Sequence, residues 1–164
     1  MFEIIQKYSY FGLFAILFAE EGGLPLPIPG DVFIASVAAL PRSNYFLIVT
    51  TVTLATLAGS TILFTLAKKF GRKFLIKYGK KIKITPKKIK KVEKWFEKYG
   101  GTAIVIGRLI PGLRIATPFV AGLFGTSYKT FWFYTTIAAL IWANIYFLVG
   151  KFFKEIFFPL ISNL

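Results

Sequence analysis

Two long uncharged runs dominate the alternation of hydrophobic and polar positions. Residues 45–67, YFLIVTTVTLATLAGSTILFTLA, carry no charged side chain, and a helix of that length crosses a hydrocarbon core about 30 Å thick. Residues 130–150, TFWFYTTIAALIWANIYFLVG, are uncharged as well, with Trp132, Tyr134 and Tyr146 near the ends of the run. Amphipathic rings settle at the membrane–water interface in this way. Both runs are predicted to be transmembrane helices. Two other apolar stretches are interrupted: Tyr8–Leu40 by EEGGLPLPIPGD and Thr102–Phe124 by GRLIPGLRIATP. Their breaks are Pro29-Gly30 and Pro111-Gly112, because proline lacks an amide proton and glycine loosens the backbone. The arms, roughly 10 to 15 residues each, are too short to span alone. Each stretch therefore reads as a re-entrant helical hairpin. Broken backbone at membrane depth persists only inside protein or beside a wet cavity, so the two hairpins are expected to face each other.

Between these halves the polarity inverts. Fourteen of the 21 Lys/Arg residues lie in Lys68–Lys98. Ile84-Thr85-Pro86 reads as a helix start, with Thr85 as N-cap and Pro86 in the first position. The following PKKIKKVEKWFEKYG places Ile89, Val92, Trp95, Phe96 and Tyr99 on one face. A basic amphipathic helix of this kind lies on a membrane surface, and its lysines suggest a cytoplasmic connection.

A shift of 82 residues superimposes the two halves. Pro29-Gly30 falls on Pro111-Gly112, Ala39 on Ala121, Thr53 on Thr135, Leu66 on Leu148, and Lys69-Phe70 on Lys151-Phe152. The order of elements repeats too: hairpin, spanning helix, basic end. A hairpin that returns, plus one spanning helix, crosses an odd number of times. The second unit must then start from the opposite face, which predicts an inverted repeat. The expected fold class is an all-α integral membrane protein with repeat 1 over about 8–70, a basic connector over about 71–99 and repeat 2 over about 100–152. All of it forms one membrane domain spanning 1–164.

Composition narrows the chemistry. The mean hydropathy is +0.63 and 55% of residues are hydrophobic, too apolar for an ordinary soluble domain. Cysteine and histidine are absent, which removes thiolate or imidazole metal sites and His- or Cys-based catalysis. No catalytic residue, metal or cofactor is expected, and the chain does not read as an enzyme. The net charge of +14 could serve nucleic acid, but the apolar segments on both sides of the basic run argue for lipid instead. A cleaved signal peptide is not expected, because Glu3 and Lys7 precede the first apolar stretch, which runs into Glu20-Glu21.

Five ionisable residues fall within the interrupted stretches: Glu20, Glu21 and Asp31 in the first, Arg108 and Arg114 in the second. A charge at the bilayer centre costs about 2.5–3.5 kcal/mol on insertion scales, so such residues pair or act. Arginine grips phosphate bidentately and stays charged, which suits Arg108 and Arg114 to a lipid phosphate. Buried carboxylates can change charge, which suits Glu20, Glu21 and Asp31 to proton coupling. An ion-pair lock between the two stretches is the structural alternative.

Three of these stretches resemble the DedA family, also described as SNARE-associated or VTT-domain membrane proteins. Glu20-Glu21-Gly22-Gly23-Leu24-Pro25 through Pro29-Gly30-Asp31 is similar to the family's acidic residue and proline-glycine-acid motif. Gly107-Arg108-Leu109-Ile110-Pro111-Gly112-Leu113-Arg114 is similar to its Gly-Arg-Phe-x-Pro-x-x-Arg motif. Pro118 through Ala121-Gly122 to Phe131 and Trp142 follows its later pattern. Ser60 stands where many members have Asp, Phe64 where Tyr is usual, and Leu109 where Phe is common; Glu20 and Glu21 compete for one acidic position. The resemblance implies a flippase or scramblase of the plasma membrane, multi-pass and in some cases driven by the proton motive force. Its cargo would be undecaprenyl phosphate or a phospholipid. The partners implied are membrane lipids and protons, with no nucleic acid; Ala55, Ala58 and Gly59 would also permit a homo-oligomer. A proton-coupled transporter of a small ion and a non-transporting scaffold are the alternatives.

Overall fold

The computed structural model describes residues 2–24, 26–40, 43–78, 86–110 and 113–162, with side chains for 9–24, 26–40, 43–71, 90, 92–110 and 113–155. The described residues form seven helices: α1 Phe2–Glu21, α2 Gly30–Ala39, α3 Tyr45–Tyr78, α4 Pro86–Tyr99, α5 Thr102–Leu109, α6 Ala116–Leu123 and α7 Tyr128–Ser162. No strand occurs among them. The protein is an all-α membrane protein, and its two long apolar helices are those the uncharged runs announced.

Tyr45–Gly71 of α3 and Tyr128–Glu155 of α7 are long and apolar enough to span, and at most a third of the most apolar window of each is buried within the protein. Phe46, Leu54, Ile62 and Leu66 on α3, and Phe133, Leu140, Ile145 and Leu148 on α7, are exposed. Exposed apolar surface on this scale marks contact with lipid. Both helices start earlier or end later than their uncharged cores. Asn44 Oδ1 accepts the Leu47 amide at 3.2 Å, and Ser127 Oγ accepts the Thr130 amide at 3.1 Å. These side chains satisfy amide protons that the first helical turn leaves unpaired, and Ser127 moves the start of α7 to Tyr128.

The interrupted stretches do contain broken helices; α2, with 10 residues, has the expected length, and the other three arms do not. α1 extends over 20 residues because the helix continues through Glu3 and Lys7. α5 and α6 have only 8 residues each. α1 ends in a Schellman turn: Leu24 N donates to Ala19 O, Gly23 N donates to Glu20 O, and Gly23 takes φ 94°. α6 ends the same way, through Thr126 N to Ala121 O, Gly125 N to Gly122 O, and φ 75° at Gly125. Glycine alone adopts this left-handed turn without a Cβ penalty. α4 begins at Pro86 as expected and stops at Gly100, φ 54°. The expected N-cap Thr85 and the breaks Pro111 and Gly112 lie outside the described residues.

The chain divides into two compact units, Met1–Gly59 with Ala139–Leu164, and Ser60–Ala138. The boundaries fall inside α3 and α7, so each unit combines one broken stretch with half of each long helix. In the first unit, α1 packs on α2, burying Leu13, Leu17, Ile34 and Val37, with Ile48, Val52 and Ala55 of α3 and Ala139, Trp142 and Ala143 of α7 also buried. A Cβ at Gly150 would meet the Ala35 carbonyl and lie 2.8 Å from Ala38 Cβ; glycine there lets α7 touch the backbone of α2. The second unit has an aromatic core. Phe64 and Phe131 stack at 4.1 Å, with Ile104 and Ala121 beside them and Phe96 and Tyr134 at the edge.

Candidate functional site

The acidic residues are built into the first unit by the break between α1 and α2. The α1 helix extends to Glu21 and so places Glu20 and Glu21 on its last turn. Both are buried, at 8% and 1% exposure. Pro29, in extended conformation, precedes α2, and no side chain from its own turn caps that helix. Glu20 does so instead: the Gly30 amide donates to Glu20 Oε2 at 3.0 Å in a buried bond. A carboxylate suits a helix N-terminus, where unpaired amides and the helix dipole both favour negative charge. Gly30 is required for this approach, since a Cβ would strike the Glu20 carboxylate and lie 2.6 Å from Leu17 Cδ2. The Gly30 amide is thus satisfied within the chain.

Asp31 follows on the first turn of α2, half-buried. Its Oδ1 accepts a 2.7 Å hydrogen bond from Trp142 Nε1 of α7. Trp142 is 9% exposed and stacks obliquely on Tyr146. Sequence reasoning placed Trp142 only in a family pattern, because 111 residues separate donor and acceptor. Gly59 of α3 packs against Glu21, and Thr56 one turn earlier on the same helix is also buried. Thr56 is 4% exposed, and a Cβ at Gly59 would lie 2.8 Å from Glu21 Cβ. Among the described residues, no His, Cys, Asp or Glu cluster could hold a metal.

The basic residues belong to the second unit. Arg108 is on the last turn of α5 and Arg114 in the turn before α6. Both are buried, at 3% and 7% exposure. Arg108 gains from the negative C-terminal end of its helix; Arg114 stands before a helix N-terminus, where a cation gains nothing from the dipole. The two arms pack on each other through Gly107, whose Cβ would lie 2.6 Å from Thr117 Oγ1. Thr117 in turn donates to the Leu113 carbonyl at 2.7 Å. Ser60 and Thr135, also fully buried in this unit, were not singled out as site residues; Ser60 entered only as a departure from the family pattern and Thr135 only as the repeat partner of Thr53. The expected residues thus form two sets, acids with Trp142 in one unit and buried arginines in the other.

Residues 28–152 match the VTT domain. The protein belongs to the DedA family. The membrane protein YbfM of Bacillus subtilis is 32% identical over 91% of this chain and 93% of its own length. Protein DedA of Escherichia coli K12 is 32% identical over 98% of this chain and 76% of its own. Undecaprenyl phosphate transporter A of Staphylococcus aureus is 29% identical over 99% of this chain and 82% of its own. No solved structure matches significantly. Membership in the DedA family places the protein in a membrane and supports a transport or lipid-related role. The matched segment includes Asp31, Arg108, Arg114 and Trp142 but begins after Glu20 and Glu21.

Proposed function

We propose that this DedA-family protein translocates a phosphate-bearing lipid across the plasma membrane. The observation that carries the reading is the pair of buried arginines on a broken helix, Arg108 and Arg114. Buried guanidinium groups are costly in a bilayer protein, and their planar donors match phosphate. The name of the Staphylococcus aureus relative, an undecaprenyl phosphate transporter, favours polyprenyl phosphate among such lipids. Arg108 and Arg114 bind the phosphate; Glu20, Glu21 and Asp31 take up and release protons. The activity is transport, with no catalytic residue.

Internal likeness of the two units supports an inverted repeat of hairpin and spanning helix. Tyr45 at the start of α3 meets Phe147 edge-on at 5.1 Å, and Tyr128 at the start of α7 meets Phe64 edge-on at 5.0 Å. Lys151 Nζ donates to Ser43 Oγ after α2, and Lys68 Nζ donates to the Thr126 carbonyl after α6. Gly150 abuts Ala35 and Ala38, and Gly122 abuts Phe64 and Ala67. Each pair corresponds, within a few residues, under the shift of 82. Repeats of this kind underlie alternating access in secondary transporters.

The test is reconstitution in liposomes, following transbilayer movement of labelled phospholipid and polyprenyl phosphate with and without a pH gradient. Movement of at least one lipid is expected, abolished by Arg108→Ala and by Asp31→Asn. Folded protein that moves neither lipid refutes the reading. Insensitivity to the gradient removes the proton coupling alone.

A further inference from the structure

Helix α4 sorts its charges between two grooves. Glu93 and Glu97 line one, of about 710 Å³, beside Ser127 and Thr130. Lys94 and Lys98 line the other, of about 540 Å³, whose remaining walls are mostly apolar. Trp95 and Tyr99 line this second groove from α4, Gly107 and Thr117 from α5 and α6, and Ile110 and Leu113 from the segment between them. Ile110 and Leu113 are 42% and 50% exposed, so the groove is open. Its volume falls within the roughly 300–1,000 Å³ usual for ligand pockets.

We propose that this groove seats an acyl chain of an anionic phospholipid, with the lipid phosphate on Lys94 and Lys98. The occupant follows from the chemistry of the walls. An open apolar groove in a membrane protein is filled most readily by a lipid tail. Two lysines one helical turn apart add a positive edge, while the acids of the same helix line the other groove. Trp95 and Tyr99 have the apolar body and polar tip of interfacial residues, which sets the headgroup level beside the lysines. The site is distinct from the buried arginines. It adjoins them in the chain, since Gly107 and Leu113, the residues preceding Arg108 and Arg114, both line it. A seated lipid would brace the bend that carries both arginines.

The test uses the full chain in neutral detergent, titrated with brominated phosphatidylglycerol or brominated phosphatidylcholine, with tryptophan quenching as the readout. Subtracting the signal of Trp95→Phe isolates the groove. A lysine near an anionic headgroup contributes roughly a factor of five at moderate salt, so the pair predicts about 25-fold tighter binding of the anionic lipid. Lys94→Gln with Lys98→Gln should erase that preference, as should high salt. Those exposed positions leave Trp95 and the fold in place, so the result stands even if Trp95→Phe fails to fold. Equal quenching by both lipids would reduce the groove to ordinary lipid contact and overturn the proposal. Quenching untouched by Trp95→Phe would do the same, as would a dimer by mass that excludes both lipids and gives the groove to a second copy. Binding is read without a second leaflet, so this outcome is independent of whether the protein transports lipid.

Discussion

Replacing Glu20 separates its structural role from its charge. Its carboxylate accepts the Gly30 amide at 3.0 Å in a buried setting, and no side chain from the turn before α2 offers a substitute. A hydrogen bond to a charged group contributes about 1.5–3 kcal/mol, and an orphaned buried donor costs about 1–3 kcal/mol. Glu20→Ala should therefore lose at least about 2–3 kcal/mol, a 30- to 150-fold shift in the folding equilibrium at about 1.4 kcal/mol per tenfold. Glu20→Gln keeps an oxygen acceptor and loses mainly the charge assistance, worth about 1 kcal/mol, because charged hydrogen bonds are roughly twice as strong as neutral ones. The assay is unfolding of the purified protein in mixed micelles under increasing sodium dodecyl sulfate, followed by far-ultraviolet circular dichroism. Equal losses in the two variants would refute the capping argument, and so would an unshifted Glu20→Ala.

Three further outcomes test the packing. Trp142→Phe removes the donor to Asp31 and should cost about 1.5–3 kcal/mol; a double-mutant cycle with Asp31→Ala, which removes the acceptor, should show a coupling of at least about 1 kcal/mol, and additive losses would discard the bond. Gly59→Ala places a Cβ 2.5 Å from the Phe18 carbonyl and 2.8 Å from Glu21 Cβ, so overpacking of about 1–3 kcal/mol should lower the melting temperature. Phe131→Ala empties the stack on Phe64 and should cost about 3–5 kcal/mol in the same unfolding titration; a loss under 1 kcal/mol would deny it a core role.

The local sequence determined the elements that depend on neighbours in the chain. Uncharged runs at 45–67 and 130–150 are sufficient to specify α3 and α7, because transfer into lipid depends on the side chains of one segment. The break before Gly30 was legible because proline and glycine act on their own backbone. The charged candidates stood out because five ionisable groups in apolar stretches are conspicuous wherever they fold.

Helix limits were less legible. α1 passes through Glu3 and Lys7, since isolated charges in the first two turns do not stop a helix, and α5 and α6 are shorter than their apolar stretch suggested. The partners were not legible at all. Glu20 capping α2 joins residues ten apart across a turn that lacks any side-chain cap of its own. Trp142 donating to Asp31 joins residues 111 apart. Gly150 matters only because α2 approaches it, and nothing in IYFLVGKFF announces that approach. The sequence alone thus determined which long apolar helices form, which stretches break and which charges lie within those broken stretches. Tertiary structure decided which groups satisfy those charges, because hydrogen bonds and close backbone contacts depend on distances that the order of residues does not contain.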